Sequence, residues 1–154
     1  MEFLENKYLY REHLFSYSTR VEADKLIDML IFAENNIDAL ELKATGKTIF
    51  RITEIIPRNS TDIYGIEILI PIERPFGNQG QCIYKPAIKI DNAISFTFCN
   101  VDEICETENQ LYGYLRRNNM KPITDIYYVL LQCEKGSKTN NVIEAYVGIS
   151  SNIV

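Results

Sequence analysis

Two glutamates at matched positions are the residues of this sequence with the clearest potential for chemistry. Glu67 and Glu144 each follow an isoleucine inside an apolar, strand-like segment, and another isoleucine lies five residues beyond each glutamate. A partly desolvated carboxylate beside aromatic rings can pair with a cationic ligand. We therefore predict that both glutamates bind a ligand. The alternative is that each carboxylate points to solvent, as most glutamates do.

Tyrosines supply the aromatic surface that such a ligand would need, since the chain has ten tyrosines and no tryptophan. Consecutive strand residues face opposite sides of a sheet, so Tyr127 and Tyr128 must diverge. One of them should enter a helix-covered core, and the other should face an open side that Tyr146 can share. A surface of this kind suits an amphipathic ligand or a peptide, although ordinary core packing is the alternative for each ring. The predicted ligand-binding residues are Glu67, Tyr112, Tyr128, Glu144 and Tyr146.

No catalytic, metal or cofactor motif accompanies these residues. His13 is the sole histidine of the sequence, and no G-x-S-x-G, phosphate-binding or dinucleotide glycine pattern is present. The four cysteines contain no C-x-x-C pair, which argues against zinc. We predict no metal and no cofactor, and we expect a binding domain rather than an enzyme. A small hydrolase is a third alternative, in which Glu144 acts as a base if burial raises its pKa.

Charge and hydropathy limit the partners and the cellular compartment that we expect. The net charge is −5 and no basic run occurs, so direct nucleic-acid binding is not expected. No secretory signal opens the sequence and no apolar stretch approaches the length of a membrane span. A cytoplasmic location with free thiols follows as a prediction. Cys99 and Cys133 lie in apolar runs, so we predict that both are buried.

The first half of the chain reads as strand, helix, strand and strand. A strand is predicted over 8–15, and Thr19 with Glu22 forms a capping-box pattern before an apolar helical face. The helix should end at 35–37, where two asparagines precede an isoleucine. Two further strands are predicted over 48–56 and 64–72, joined by a loop of turn-forming residues.

The second half repeats this order. A strand over 93–99 precedes a helix start at Asn100 and Glu103, and that helix should end at the asparagine pair within 118–120. Strands over 126–133 and 142–149 follow, with a polar loop over 134–140. We therefore predict one α+β domain over 1–154, built from duplicated β-α-β-β repeats. The predicted bounds are about 8–72 for the first repeat, 73–84 for a linker and about 85–150 for the second.

The chain resembles the GyrI-like domain, which is the effector-binding module of BmrR-type multidrug-responsive regulators. The clearest motifs are LYGYLRRN over 111–118, PITDIY over 122–127 and VIEAYV over 142–147. The resemblance implies a curved antiparallel sheet with two helices packed on one side, and a ligand in the cleft between the repeats. A looser similarity links the chain to uncharacterised Gram-positive proteins encoded near type VII secretion loci.

One departure from the family changes the expected site. Many drug-binding members have a buried glutamate directly after the D-[VI]-Y motif, where this chain has Tyr128. Glu144 keeps the second family glutamate position, and Glu67 is its counterpart in the first repeat. From the duplication, the resemblance and the supply of tyrosines together, we predict a stand-alone domain that senses or sequesters a small amphipathic molecule. A protein-interaction or accessory module, secretion-associated or of the gyrase-inhibitor type, is the alternative.

Overall fold

A computed structural model describes residues 2–133 and 141–151 of the chain, which divides into two compact units. The first unit comprises residues 11–88, and the second combines residues up to Tyr10 with those from Lys89 onward. The described elements are β1 (Leu4–Glu22), α1 (Leu26–Ala39), β2 (Ile49–Ile56), β3 (Ile63–Pro71), β4 (Cys82–Cys99), α2 (Ile104–Arg117), β5 (Met120–Pro122), β6 (Tyr127–Cys133) and β7 (Asn141–Ser151). A short 3₁₀ turn precedes each α-helix.

The first unit is an antiparallel sheet with β3 between β1 and β2. The sequence of β3 is almost wholly apolar, and every residue after Ile63 is buried, as expected for a strand covered on both faces. Thr48 donates a hydrogen bond to Glu34 of α1 at 2.6 Å, which places the side chains of Thr48 and Phe50 toward the helix. Phe50 is opposite Ile68 in the register. Since strand side chains alternate, Glu67 faces away from α1.

The second unit has the same plan, with β7 between β4 and β6 and the short β5 paired to the end of β7. Tyr128 of β6 is hydrogen-bonded to Glu108 of α2, so its face of the sheet is the helix-covered one. Ala145 is opposite Tyr128 and Phe96 is opposite Ala145, so Ala145 and Phe96 also lie on the helix-covered face. Glu144 and Tyr146 therefore face away from α2.

Both units thus contain a strand, a helix and two strands in order, so the predicted α+β class and the duplication are confirmed. Several element bounds were wrong. β1 extends to Glu22 because it pairs with β3 as far as Ile63, so Thr19 lies in a strand and caps no helix. The first helix runs past its asparagines to Ala39, since burial of Ile37 outweighs their low helix propensity.

The second helix begins and ends close to its predicted positions. Asn100 accepts a hydrogen bond from the backbone N–H of Asp102 and so opens the turn before α2, which ends at Arg117. β4 is one continuous strand from Cys82, so it begins inside the predicted linker. The predicted loop over 134–140 lies outside the described residues. The unit boundaries fall within β1 and β4, and the repeat bounds drawn from the sequence remain a prediction.

The cysteines correct another prediction. All four belong to the described residues and none of them forms a disulfide there. Cys99 is exposed and Cys133 is half-buried, whereas the sequence predicted both to be buried. Cys99 lies two residues beyond the exposed Thr97, on the face of β4 that alternation turns away from α2. Among the described helices, none is long and apolar enough to cross a bilayer.

Candidate functional site

The predicted ligand-binding residues fall into three places. Glu67 lies in the first unit, on the face of β3 turned away from α1. Tyr112 and Tyr128 lie in the second unit on the helix-covered side, and Glu144 and Tyr146 lie on the opposite face of the same sheet. The structure therefore brings together two pairs rather than one set of five.

Glu67 is held by groups of its own unit. It is only 4% exposed, so the alternative that its carboxylate points to solvent does not apply. Its Oε1 accepts from Arg51 Nε at 2.7 Å, and its Oε2 accepts from Lys85 Nζ at 2.5 Å and from Ser16 Oγ at 2.8 Å. Both oxygens are therefore occupied by side chains from β1, β2 and β4.

Glu67 is stabilised in its ionised, carboxylate form. Burial by itself raises the pKa of Glu67, but the hydrogen bonds from Lys85, Arg51 and Ser16 outweigh it and hold the pKa below its ordinary value. The two cations balance this carboxylate inside the unit. An external cation would have to compete with Lys85 and Arg51 for the same oxygens.

A second carboxylate, Glu108, lies in a different environment. Glu108 and Tyr112 are one helical turn apart on α2, beside the buried stripe of the helix. Tyr128 reaches up from β6, and its hydroxyl donates to Glu108 Oε1. Phe98 contacts the Tyr128 ring edge-on at a centroid distance of 6.2 Å. A carboxylate and three aromatic rings therefore lie between α2 and the sheet; we call Glu108, Tyr112 and Tyr128 the Glu108 cluster.

Burial dominates the electrostatics of the Glu108 cluster. Desolvation raises the pKa of Glu108 above its ordinary value, and the hydrogen bond from Tyr128 offsets this only in part. Desolvation also raises the pKa of Tyr112, and the negative charges of Glu108 and Asp125 raise it further. The pKa of Tyr128 is raised by burial and then by Glu108. Within residues 2–133 and 141–151, Glu108 forms no salt bridge.

The Glu108 cluster includes position 128, where the chain departs from the family pattern. The family resemblance implies a buried glutamate there, and the chain has Tyr128 instead, but its hydroxyl meets a carboxylate from α2. The sequence analysis did not single out Glu108 as a site residue. Its four-residue spacing from Tyr112 was the available signal, because residues at that spacing share one side of a helix.

The opposite face of this sheet holds Glu144 and Tyr146. Tyr146 is directly opposite Ser95 of β4 and Tyr127 of β6, and its hydroxyl donates to Glu144 Oε1. The prediction that Tyr127 and Tyr128 diverge, with Tyr146 beside the outward one, agrees with this register. Across the described ranges, no three histidine, cysteine or carboxylate side chains form a group able to hold a metal.

Comparisons with known proteins support the fold. No protein-family model matches the chain, and a search of curated proteins also finds no match. The crystal structure of the EcmrR C-terminal domain superposes with a TM-score of 0.66 at 14% identity, over 98% of this chain and 99% of that domain.

Two further solved structures extend this likeness. EcmrR in its complex with DNA matches with a TM-score of 0.74 at 11% identity, over 97% of this chain, which spans 58% of the length of that EcmrR chain. SAV2435 bound to tetraphenylphosphonium matches with a TM-score of 0.50 at 11% identity, over 97% of this chain and 94% of that one. The chain shares the fold of the EcmrR C-terminal domain, which confirms the resemblance to a GyrI-like or BmrR-type domain at the level of fold.

Proposed function

We propose that this chain is a binding domain for an amphipathic cation, which the Glu108 cluster recognises. The observation that carries the proposal is a desolvated carboxylate, Glu108, that has aromatic neighbours and no salt bridge within the described part of the chain. A lipophilic cation would supply the missing positive charge and cover apolar surface at the same time. The half-buried ring of Tyr112 adds cation–π attraction.

Fold and chemistry support the same class of ligand. The chain shares its fold with SAV2435, and that protein has been solved with tetraphenylphosphonium, which carries one delocalised charge inside four aromatic rings. Such a cation loses less hydration than a compact ammonium when it leaves water, so a half-buried carboxylate can bind it with a small desolvation cost. Tetraphenylphosphonium is therefore the first probe to use.

The direct test compares two probes of the same shape and opposite charge. We expect tetraphenylphosphonium to bind with a dissociation constant on the order of micromolar, the range typical of drug-sized ligands, and to raise the melting temperature. Tetraphenylborate should bind at least about tenfold more weakly, because Glu108 repels an anion. Calorimetry and thermal shift measure both. Equal affinity for the two probes, or no binding of the cation, would contradict the proposal.

The raised pKa of Glu108 makes the binding depend on pH. A cation binds the carboxylate form, and Glu108 becomes protonated at a higher pH than an ordinary glutamate, whose pKa is about 4.3. Affinity for tetraphenylphosphonium should be full at neutral pH and should fall as the pH drops through the pKa of Glu108. Titrations between about pH 7.5 and pH 4.5 at constant ionic strength, with circular dichroism to monitor folding, measure this decline. An affinity that stays constant over this range would exclude Glu108 as the counter-ion.

A further inference from the structure

The two α-helices can be compared residue by residue. Each has 14 residues and follows a three-residue 3₁₀ turn, so their sequences align without a gap. Three pairs of buried residues coincide in this alignment: Leu26 with Ile104, Ala33 with Leu111, and Ile37 with Leu115. Because both helices are buried along the same stripe, α2 shows which residues this fold accepts at each outward position of α1.

Phe32 points away from the sheet of the first unit. It lies two residues, or about half a helical turn, after the buried Leu30, and it is 51% exposed. The matching residue of α2 is the exposed Gln110, so the fold does not require an aromatic ring here. Ala39, about two turns after Phe32, is exposed on the same side, and its small side chain leaves room for another element to approach. A single exposed ring is common on protein surfaces, so the charges beside it decide whether it marks a docking surface.

The C-terminal end of α1 has a charge of the wrong sign for a helix. The last carbonyl groups of a helix carry a partial negative charge, which lysine or arginine stabilises and a carboxylate destabilises. α2 ends with Arg116 and Arg117, whereas the matching residues of α1 are Asp38 and Ala39. Asp38 therefore weakens the helix end that Arg116 strengthens in the second unit.

Glu41 is unfavourable at the same end of α1 for a second reason. It has a φ of +58°, and the matching Asn119 of the second unit has a φ of +55°. Asparagine is enriched in this left-handed conformation, and glutamate is not. Asp38 and Glu41 are exposed, and neither forms a salt bridge in the part of the chain that the structure describes. Arg74 donates to the carbonyl oxygen of Glu41 at 3.3 Å and leaves its carboxylate available.

The charges of this segment decide which partner fits it. Residues 26–41 contain four carboxylates and neither lysine nor arginine. An anionic lipid surface would be repelled, and a second copy of the same face would add four more carboxylates. A metal ion fits poorly, because the described residues offer no group of three side chains able to hold one. A partner with positive charges around an apolar side chain complements both the carboxylates and Phe32.

We propose that the outer face of α1 is a docking surface for a basic amphipathic helix of a partner protein. Its residues, which we call the α1 surface, are Asp28, Phe32, Asp38, Ala39 and Glu41. An apolar side chain of the partner packs on Phe32 and approaches closely over Ala39, and lysine or arginine side chains pair with Asp38 and Glu41. The α1 surface belongs to the first unit, and the proposal does not depend on the Glu108 cluster.

The test uses a synthetic amphipathic peptide of leucine, alanine and lysine, about 18 residues or five helical turns long. We expect it to bind with a dissociation constant on the order of 10 μM in fluorescence anisotropy, and to shift the ¹H–¹⁵N signals of α1. A scrambled peptide of equal composition and charge, with its leucines spread round the helix, should bind at least about fivefold more weakly. Equal affinity for both peptides, or no binding of the amphipathic one, would overturn the proposal.

Variants that transfer residues from α2 to α1 separate docking from folding. Phe32→Gln should weaken the amphipathic peptide at least about fivefold, whereas Ile123→Gln, at a residue that is 63% exposed in the second unit, should not. The double variant Asp38→Arg with Glu41→Asn should also bind at least about fivefold more weakly, and its melting temperature should rise by about 1–4 °C. A lower melting temperature would mean that these two carboxylates serve the fold, and the proposal would be wrong.

Further controls separate the α1 surface from other possible occupants and sites. Glu106→Arg changes an exposed carboxylate of α2 and should alter the peptide affinity less than about twofold. Glu108→Gln should leave peptide binding unchanged, so a failure of the Glu108 cluster to bind tetraphenylphosphonium would leave this proposal standing. Sedimentation velocity of the chain alone should show no self-association that Phe32→Gln abolishes. If it does, a second copy occupies the α1 surface and a basic partner is excluded.

Discussion

Replacing Glu108 by glutamine should weaken the binding of tetraphenylphosphonium by about tenfold or more. The substitution removes the negative charge and keeps the shape of the side chain, so Tyr128 can still donate to the amide oxygen. A charged partner in a partly desolvated place contributes about 1.5–3 kcal/mol, and 1.4 kcal/mol corresponds to tenfold in affinity. Isothermal titration calorimetry at neutral pH measures the change. The pH dependence of the parent protein should also disappear in this variant, because the titrating group has been removed.

Glu106→Gln is the matched control for Glu108→Gln. Glu106 lies on the same helix two residues earlier, and it is exposed. The two substitutions change the net charge equally, so any long-range electrostatic effect is the same. We expect Glu106→Gln to alter the affinity less than about twofold, since an exposed charge is screened by solvent and salt. Similar losses in the two variants would mean that net charge rather than the Glu108 cluster governs binding.

Replacing Glu67 by glutamine should destabilise the fold by about 2–3 kcal/mol. The change leaves Arg51 and Lys85 close together without their carboxylate, and removal of one member of a buried ion pair costs about 3–5 kcal/mol. The Lys85 side chain is 42% exposed and can regain hydration, so the loss should fall below that range. Urea unfolding, read from the midpoint at constant m-value, measures the difference.

The control for Glu67→Gln is an exposed pair from the same unit. Glu54→Gln breaks the ion pair with Arg20, in which both side chains are well exposed, and it should cost less than about 1 kcal/mol. Acid should also reduce the effect of Glu67→Gln. Because the pKa of Glu67 is lowered in the folded state, its stabilisation is complete above the ordinary value of about 4.3 and is lost as the pH falls through the folded-state pKa. A Glu67→Gln variant as stable as the parent at neutral pH would contradict the structural role of this residue.

These variants also distinguish the roles of two residues that look alike in sequence. Glu67 and Glu144 occupy the same place in matched isoleucine–glutamate segments, and the sequence analysis assigned them one function. In the structure, Glu67 is neutralised by Lys85 and Arg51, whereas position 129, opposite Glu144, is a valine. We therefore expect Glu67→Gln to lower the stability of the fold much more than Glu144→Gln does.

Patterns of neighbouring residues predicted most elements of the fold, because helix and strand formation depends largely on residues close in sequence. Apolar, strand-like runs predicted most strands, and the asparagine pair within 118–120 predicted the end of α2, which the structure places at Arg117. Asn100 predicted a helix start because its short side chain can satisfy a free backbone N–H. The capping-box pattern at Thr19 failed because strand pairing is the stronger constraint there. β1 continues through Thr19, since β3 provides backbone hydrogen-bond partners as far as Ile63.

By itself, the sequence determined the duplicated α+β plan, the divergence of Tyr127 from Tyr128 and the matched positions of Glu67 and Glu144. The tertiary structure alone decided which carboxylates have partners. Lys85 and Arg51 are 18 and 16 residues from Glu67, and Glu108 is 20 residues from Tyr128, so only the packing of separate elements brings them into contact. The pKa of a carboxylate follows from burial and from those contacts, which no local pattern of residues contains.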